Sequence, residues 1–228
     1  MIAELLPAEV AAEDVVGLDP DAALLPEEQA LVARAVAKRR TEVANVRVAA
    51  RRALARIGVP AVPILRGERG APLWPSGVVG SMTHTRDYCA AAVADAGKIR
   101  SVGIDAEEHD KLPDGVLDAV ALPDEQAMLK RLGTEAHWDR LLFSAKESTY
   151  KAWFPLTRRW LGFEDALITI DPELHTFSVK LLVDGATPDG PPLTGFDGRF
   201  LVRDGYVLTA ITVPLVPLVP LPTSGSPW

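Results

Sequence analysis

The stretch V-G-I-D-A-E-E-H-D, Val102 to Asp110, decides how the chain is read. Val102-Gly103-Ile104 has the apolar character of a buried strand end. Asp105 and Glu107 follow on alternate positions, so extended backbone points both carboxylates the same way. A strand that ends by aiming two acids at one spot asks for a proton or a cation, since two like charges ~4 Å apart repel by about 4 kcal/mol at an effective dielectric of about 20.

Working outward, residues 99–105 close a set of three short β-like runs, after 78–84 and 88–94. Before them lies a stretch without Pro or Gly from Glu27 to Ile57. Its apolar residues recur at roughly helical spacing, predicting one long helix or two joined ones. Gly58-Val59-Pro60 stops it, and a Gly/Pro-rich loop, R-G-E-R-G-A-P-L-W-P, fills 66–75. After the acids, a short helix is expected near 114–121, a second from Pro123 to Leu132 and a third from about Ala136 to Phe154. Strand-like segments follow at 166–170, 175–183, 199–203 and 206–213. Each half reads helices then strands, which gives α+β class. The expected division is 1–102, 103–213 and a Pro-rich, extended tail at 214–228, with no clear sequence repeat between the halves.

The composition, 48% hydrophobic and 24% charged, is that of a globular chain. One cysteine, Cys89, allows no internal disulfide and is expected as a small buried strand residue. The start carries no basic leader and no apolar run reaches a membrane span, so a soluble cytoplasmic protein is expected. The net charge of −7 argues against nucleic-acid binding. Within it, residues 1–33 hold eight acids and no Lys or Arg, whereas 34–69 hold ten basic side chains against Glu42 and Glu68. A basic field confined to one segment of an acidic protein suits a confined anionic ligand, or else a solvated helix face.

The third segment with chemical content is F-S-A-K-E-S-T-Y-K, 143–151. On a helix Glu147 and Lys151 are four apart and share a face, which alone describes an ordinary ion pair. If the fold brings Glu147 to Asp105 and Glu107, the all-oxygen set favours a hard cation, Mg²⁺ or Mn²⁺. His84, in G-S-M-T-H-T, reads equally as structural or phosphate-binding. Trp74, Trp138, Trp153 and Trp160 are expected to pack.

In this order, R-G-E-R-G-A-P-L-W-P…G-S-M-T-H, V-G-I-D-A-E and F-S-A-K-E-S-T-Y-K resemble the Sfp-type 4′-phosphopantetheinyl transferases, in the branch that includes enterobactin-synthetase component D and the actinobacterial enzymes. The resemblance implies a pseudo-twofold monomer of two similar α+β halves with coenzyme A between them. It implies Mg²⁺-dependent transfer of the phosphopantetheine arm to a serine of an acyl or peptidyl carrier protein, releasing adenosine 3′,5′-bisphosphate. It places the metal on Asp105, Glu107 and Glu147, and catalysis on Glu147, Lys151 and Asp105. Coenzyme A contacts fall to Arg39, Arg47, Arg66, Arg69, Thr83, His84, Asp105, Glu147 and Lys151. The chain departs from the family pattern at Ala71, where Lys is common, at Ala106, which offers no side-chain ligand, and at Ser148 of Lys-Glu-Ser. A non-catalytic module binding coenzyme A or a carrier, and a Mg²⁺-dependent phosphohydrolase, are the competing readings. Carrier docking is expected on 112–135.

Overall fold

Each half of the chain is built around a strand that pairs with the last strand of its own half. In the computed structural model, which describes residues 1–215, the N-terminal half holds strands β1 (Val10–Val16), β2 (Leu65–Arg66), β3 (Pro72–Leu73), β4 (Val78–Thr85) and β5 (Tyr88–Asp95) around helix α1 (Ala37–Arg56). The C-terminal half runs β6 (Ile99–Glu108), α2 (Val116–Val120), α3 (Pro123–Leu132), α4 (Trp138–Thr157), β7 (Ala166–Asp171), β8 (Thr176–Leu181), β9 (Gly195–Arg203) and β10 (Tyr206–Pro214). The sheet orders are β1-β5-β4 and β6-β10-β9-β8-β7, all antiparallel. First, last and next-to-last strands are neighbours in both, the internal likeness expected of an α+β pseudo-twofold fold. The expected tail lies, from residue 216, outside the described residues.

Packing follows from alternation. Along β5, Cys89, Ala91 and Val93 face one way and Tyr88, Ala90, Ala92 and Ala94 the other. Ala91 and Val93 meet Ala49, Ala50, Ala53 and Leu54 of α1. The second face packs with Ile104 and Ala106 of β6 and Leu208 and Ala210 of β10. The far face of the five-stranded sheet takes α4 through Leu141, Leu142, Ala145 and Trp153. The run of alanines lets two sheets and a helix approach closely. Cys89 is fully buried, as expected, and burial pushes its thiol up to about 12.

Two details of the seam matter for the site. Ser81 and Thr83 of β4 accept the backbone N–H groups of Ile104 and Ala106 at 3.1 Å each, so side-chain hydroxyls join the two halves. At Gly103 a Cβ would meet Ser148 O at 2.0 Å and Ala152 N at 2.7 Å. Only glycine lets β6 lie this close to α4. Gly103→Ala is expected to cost about 3 kcal/mol through backbone displacement. Urea unfolding checks this, and an unchanged midpoint would refute the close-packing account.

The structure corrects the sequence reading in three places. The helix expected from Glu27 is a 3₁₀ turn, Pro26–Val32, then a break, then α1 from Ala37. The turn is separate because Glu28 folds back to accept the Leu25 N–H and is buried beneath Arg51. Strand β1 was not legible, since V-A-A-E-D-V-V alternates poorly. A repeat does exist: L-P-E-E-Q-A at 25–30 and L-P-D-E-Q-A at 122–127 agree at five of six positions. Both open a turn with Pro and close it with a buried glutamate, Glu28 or Glu125. Leu129 and Leu132 of the expected docking segment are partly buried against the core.

Candidate active site

Asp105 is where the two halves meet chemically. It is 5% exposed. Its Oδ1 accepts Lys151 Nζ at 2.8 Å and Thr83 Oγ1 at 3.2 Å, and its Oδ2 accepts Ser144 Oγ at 2.9 Å. Lys151 Nζ also donates to Ile104 O at 3.1 Å. Ser144 is held in turn by Thr209 of β10, 2.9 Å away. Glu107, two residues on and facing the same way, pairs with Arg140 at 3.0 Å. Burial and then the Asp105 charge push the Glu107 carboxyl up to about 7, and Arg140 takes back only part of that rise. Burial, then Asp105, also raises Glu147, against Lys151. Among the described residues no hydrogen bond or ion pair reaches the Glu147 carboxylate.

Helical period explains this convergence. Arg140, Ser144, Glu147 and Lys151 lie at i, i+4, i+7 and i+11 of α4 and form one stripe along β6. The sequence reading took the last two and missed Arg140 and Ser144, although the same spacing marks them.

The opposite wall is basic. A cavity of about 410 Å³ is lined by Asp105, Glu107, Glu147 and Lys151 on one side and by Arg39, Arg47, Arg66, Thr83 and His84 on the other. Phe143, expected to give apolar surface beside Glu147 and Lys151, does so, together with Val43, Val46, Leu65 and Met82, which were not foreseen. Arg47 is 5% exposed and donates to Ile64 O and Val43 O at 3.1 and 3.3 Å. Arg39 pairs with Glu42 at 3.1 Å and donates to His84 Nε2. Burial and then Arg39 lower the His84 pKa, which favours the neutral ring, and a ring that accepts from Arg39 at Nε2 would carry its proton on Nδ1. Thr83 lines the cavity, but its hydroxyl is already engaged between Asp105 and the Ala106 N–H.

Arg69 lies apart from this group, in an adjoining groove of about 470 Å³ that shares Glu147 and Lys151 and includes Trp74, Tyr150 and Phe154. Its guanidinium sits 5.6 Å from the Trp160 ring centre. Trp138 and Trp153 are buried and pack as expected, but Trp160 is 63% exposed, its ring tilted against Tyr150 with 5.0 Å between ring centres. That corrects its assignment as a packing residue. Tyr150 Oη is buried without a partner among the described residues.

Two family models match the chain in succession: the 4′-phosphopantetheinyl transferase N-terminal domain over residues 27–94 and the 4′-phosphopantetheinyl transferase superfamily over 101–188. The 4′-phosphopantetheinyl transferase PptT of Mycobacterium tuberculosis is 52% identical, across 93% of this chain and 98% of that protein. The chain belongs to the 4′-phosphopantetheinyl transferase superfamily. It is an enzyme of that transferase type. The 4′-phosphopantetheinyl transferase Npt of Nocardia iowensis is also 52% identical, covering 92% of the chain and 99% of that enzyme. Enterobactin synthase component D of Salmonella typhi is 36% identical over 58% of this chain and 55% of its own length. Among the described residues no helix is long and apolar enough to cross a membrane.

Proposed function

We propose that this enzyme transfers the phosphopantetheine arm of coenzyme A to a serine hydroxyl of acyl or peptidyl carrier domains, releasing adenosine 3′,5′-bisphosphate. The observation that carries the site assignment is the single cavity with basic side chains from one half and carboxylates from the other. It suits a ligand that is anionic at its nucleotide end and has one diphosphate bridge to be broken. Arg39, Arg47 and Arg66 supply charge-assisted bonds for the phosphates of the nucleotide end. His84 offers its Nδ1–H to a phosphate oxygen while bringing no charge. The apolar floor and the adjoining groove suit the pantetheine arm. Arg69 flanks that arm in place of the missing loop lysine.

Among the described residues no group of three or more His, Cys, Asp or Glu is gathered as a ready metal cage. Asp105 is occupied by Lys151 and Glu107 by Arg140. The donor chemistry still fits a hard cation: two carboxylates, Glu107 and Glu147, each raised by burial and by the Asp105 charge, with oxygen donors alone. We assign Asp105, Glu107 and Glu147 as the residues that would hold Mg²⁺, or Mn²⁺, which when bound neutralises charge on the diphosphate oxygens. Lys151 stabilises the charge that develops on the leaving phosphate. Glu147, desolvated and unpaired, takes the proton of the attacking serine. The functional halves are taken as 1–102 and 103–213, the division falling inside β6 (Ile99–Glu108), with the enzyme acting as a monomer in the cytoplasm.

The test incubates the protein with coenzyme A, Mg²⁺ and an apo carrier domain and weighs the carrier. A gain of one phosphopantetheine mass supports the transferase. Release of nucleotide with no gain on the carrier would favour a hydrolase, and binding without either product a non-catalytic module. Magnesium affinity has its own pH signature. Glu107 is protonated below about 7 and must lose that proton to serve as a ligand. Affinity is expected to weaken about tenfold per unit as pH falls through that value. Calorimetry across that range checks it, and a pH-independent constant would remove Glu107 from the ligand set.

A further inference from the structure

The repeated L-P-x-E-Q-A segments each carry a glutamate at the fourth position, Glu28 and Glu125, with matching surroundings. Glu28 Oε2 caps its own turn at Leu25 N, 2.9 Å, and Glu125 Oε2 does so at Leu122 N, 2.8 Å. The other oxygen reaches across the half to one backbone N–H, Ile64 for Glu28 at 2.8 Å and Ile168 for Glu125 at 2.7 Å. Each carboxylate is fully buried and neutralised by a cation from the long helix of its half. Arg51 of α1 reaches Glu28 at 2.8 Å and Lys146 of α4 reaches Glu125 at 2.9 Å.

We propose that these two clamps are positioning devices with divided tasks: Glu28 sets the anion-binding wall, and Glu125 sets the reacting helix. The proposal rests on the transferase reading above. In the N-terminal half, the clamped Ile64 also accepts Arg47 Nε through its carbonyl at 3.1 Å. Leu65 and Arg66, which line the cavity, follow directly. Arg51 is one turn beyond Arg47 on α1. Releasing Glu28 therefore loosens Arg47 and Arg66 together. In the C-terminal half, Lys146 also donates to Phe163 O at 2.6 Å and Ala166 O at 2.9 Å. Those bonds fix how α4 is rotated and how far it slides. Glu147 is the next residue, and Lys151, four beyond it, reaches Asp105. Neither glutamate lines the cavity, so neither is a catalytic residue.

The test uses the full chain and compares Glu28→Gln with Glu125→Gln in steady-state transfer from coenzyme A to an apo carrier, with coenzyme A binding by calorimetry and folded fraction by circular dichroism. Glu28→Gln is expected to raise KM for coenzyme A about tenfold with kcat nearly kept. Glu125→Gln is expected to lower kcat about tenfold or more with KM nearly kept. If either glutamine variant fails to fold, Arg51→Lys and Lys146→Arg, which keep a cation at each place, should show the same split in milder form. Parallel changes in both parameters, or losses that follow folded fraction alone, would overturn the division of tasks. Wild-type protein that binds coenzyme A but transfers nothing would instead sink the transferase reading. The Glu28 claim would then still be decided by weakened or unweakened coenzyme A binding.

Discussion

Asp105→Asn is expected to lower kcat for transfer by about a thousandfold while leaving the protein folded. Asparagine keeps the shape: its one carbonyl oxygen can accept from Thr83, and its NH2 can donate to the Ser144 hydroxyl, which is free to turn toward Thr209. What it loses is the charge that pairs with Lys151 at 2.8 Å and that a hard cation requires. The asparagine variant separates these losses better than Asp105→Ala. Alanine would leave three donors around a buried gap, with unsatisfied bonds costing about 1–3 kcal/mol each. The measurement is transfer kinetics at saturating coenzyme A over a magnesium series, alongside urea unfolding. Near-normal kcat at ordinary magnesium would remove Asp105 from the chemistry.

Glu147→Gln carries the second large effect, a loss of about a thousandfold in kcat, within the range for removing a general base. The pH profile distinguishes this from general damage. Burial and Asp105 raise the Glu147 pKa, so the protonated form persists above the usual carboxylate range. Wild-type kcat should climb as pH rises through that ionisation, because only the carboxylate accepts the serine proton. The glutamine variant should lack that climb. Magnesium binding then separates the two assigned roles: unchanged affinity in the variant marks a base alone, and weakened affinity marks a ligand as well. A variant whose rate still rises with the wild-type ionisation would discard Glu147 as the base.

The acids were legible because strand and helix periods are rigid rules. Alternation put Asp105 and Glu107 on one face, and a spacing of four put Glu147 and Lys151 on another. The same helical rule extends to Arg140 and Ser144, but an arginine and a serine on an amphipathic helix carry no chemistry until β6 is seen beneath them. The N-terminal basic residues were legible as a field and not as contacts. Arg47 is buried against carbonyls, Arg39 is tied to Glu42 and His84, and Arg69 belongs to the neighbouring groove. The repeat escaped notice for a physical reason. Its decisive residue is a glutamate, and a buried glutamate with three partners looks in sequence like any solvated one. Gly103 likewise reads as a weak point in a strand until the backbone of α4 is found against it.

Trp160 has an optical use. Its indole lies largely in water between the Tyr150 ring and the Arg69 guanidinium, at the edge of the groove assigned to the pantetheine arm. Subtracting the emission of Trp160→Phe from that of the parent isolates this one fluorophore. Filling the groove should shift that difference spectrum to the blue and shield it from acrylamide, so occupancy can be read without a label or turnover.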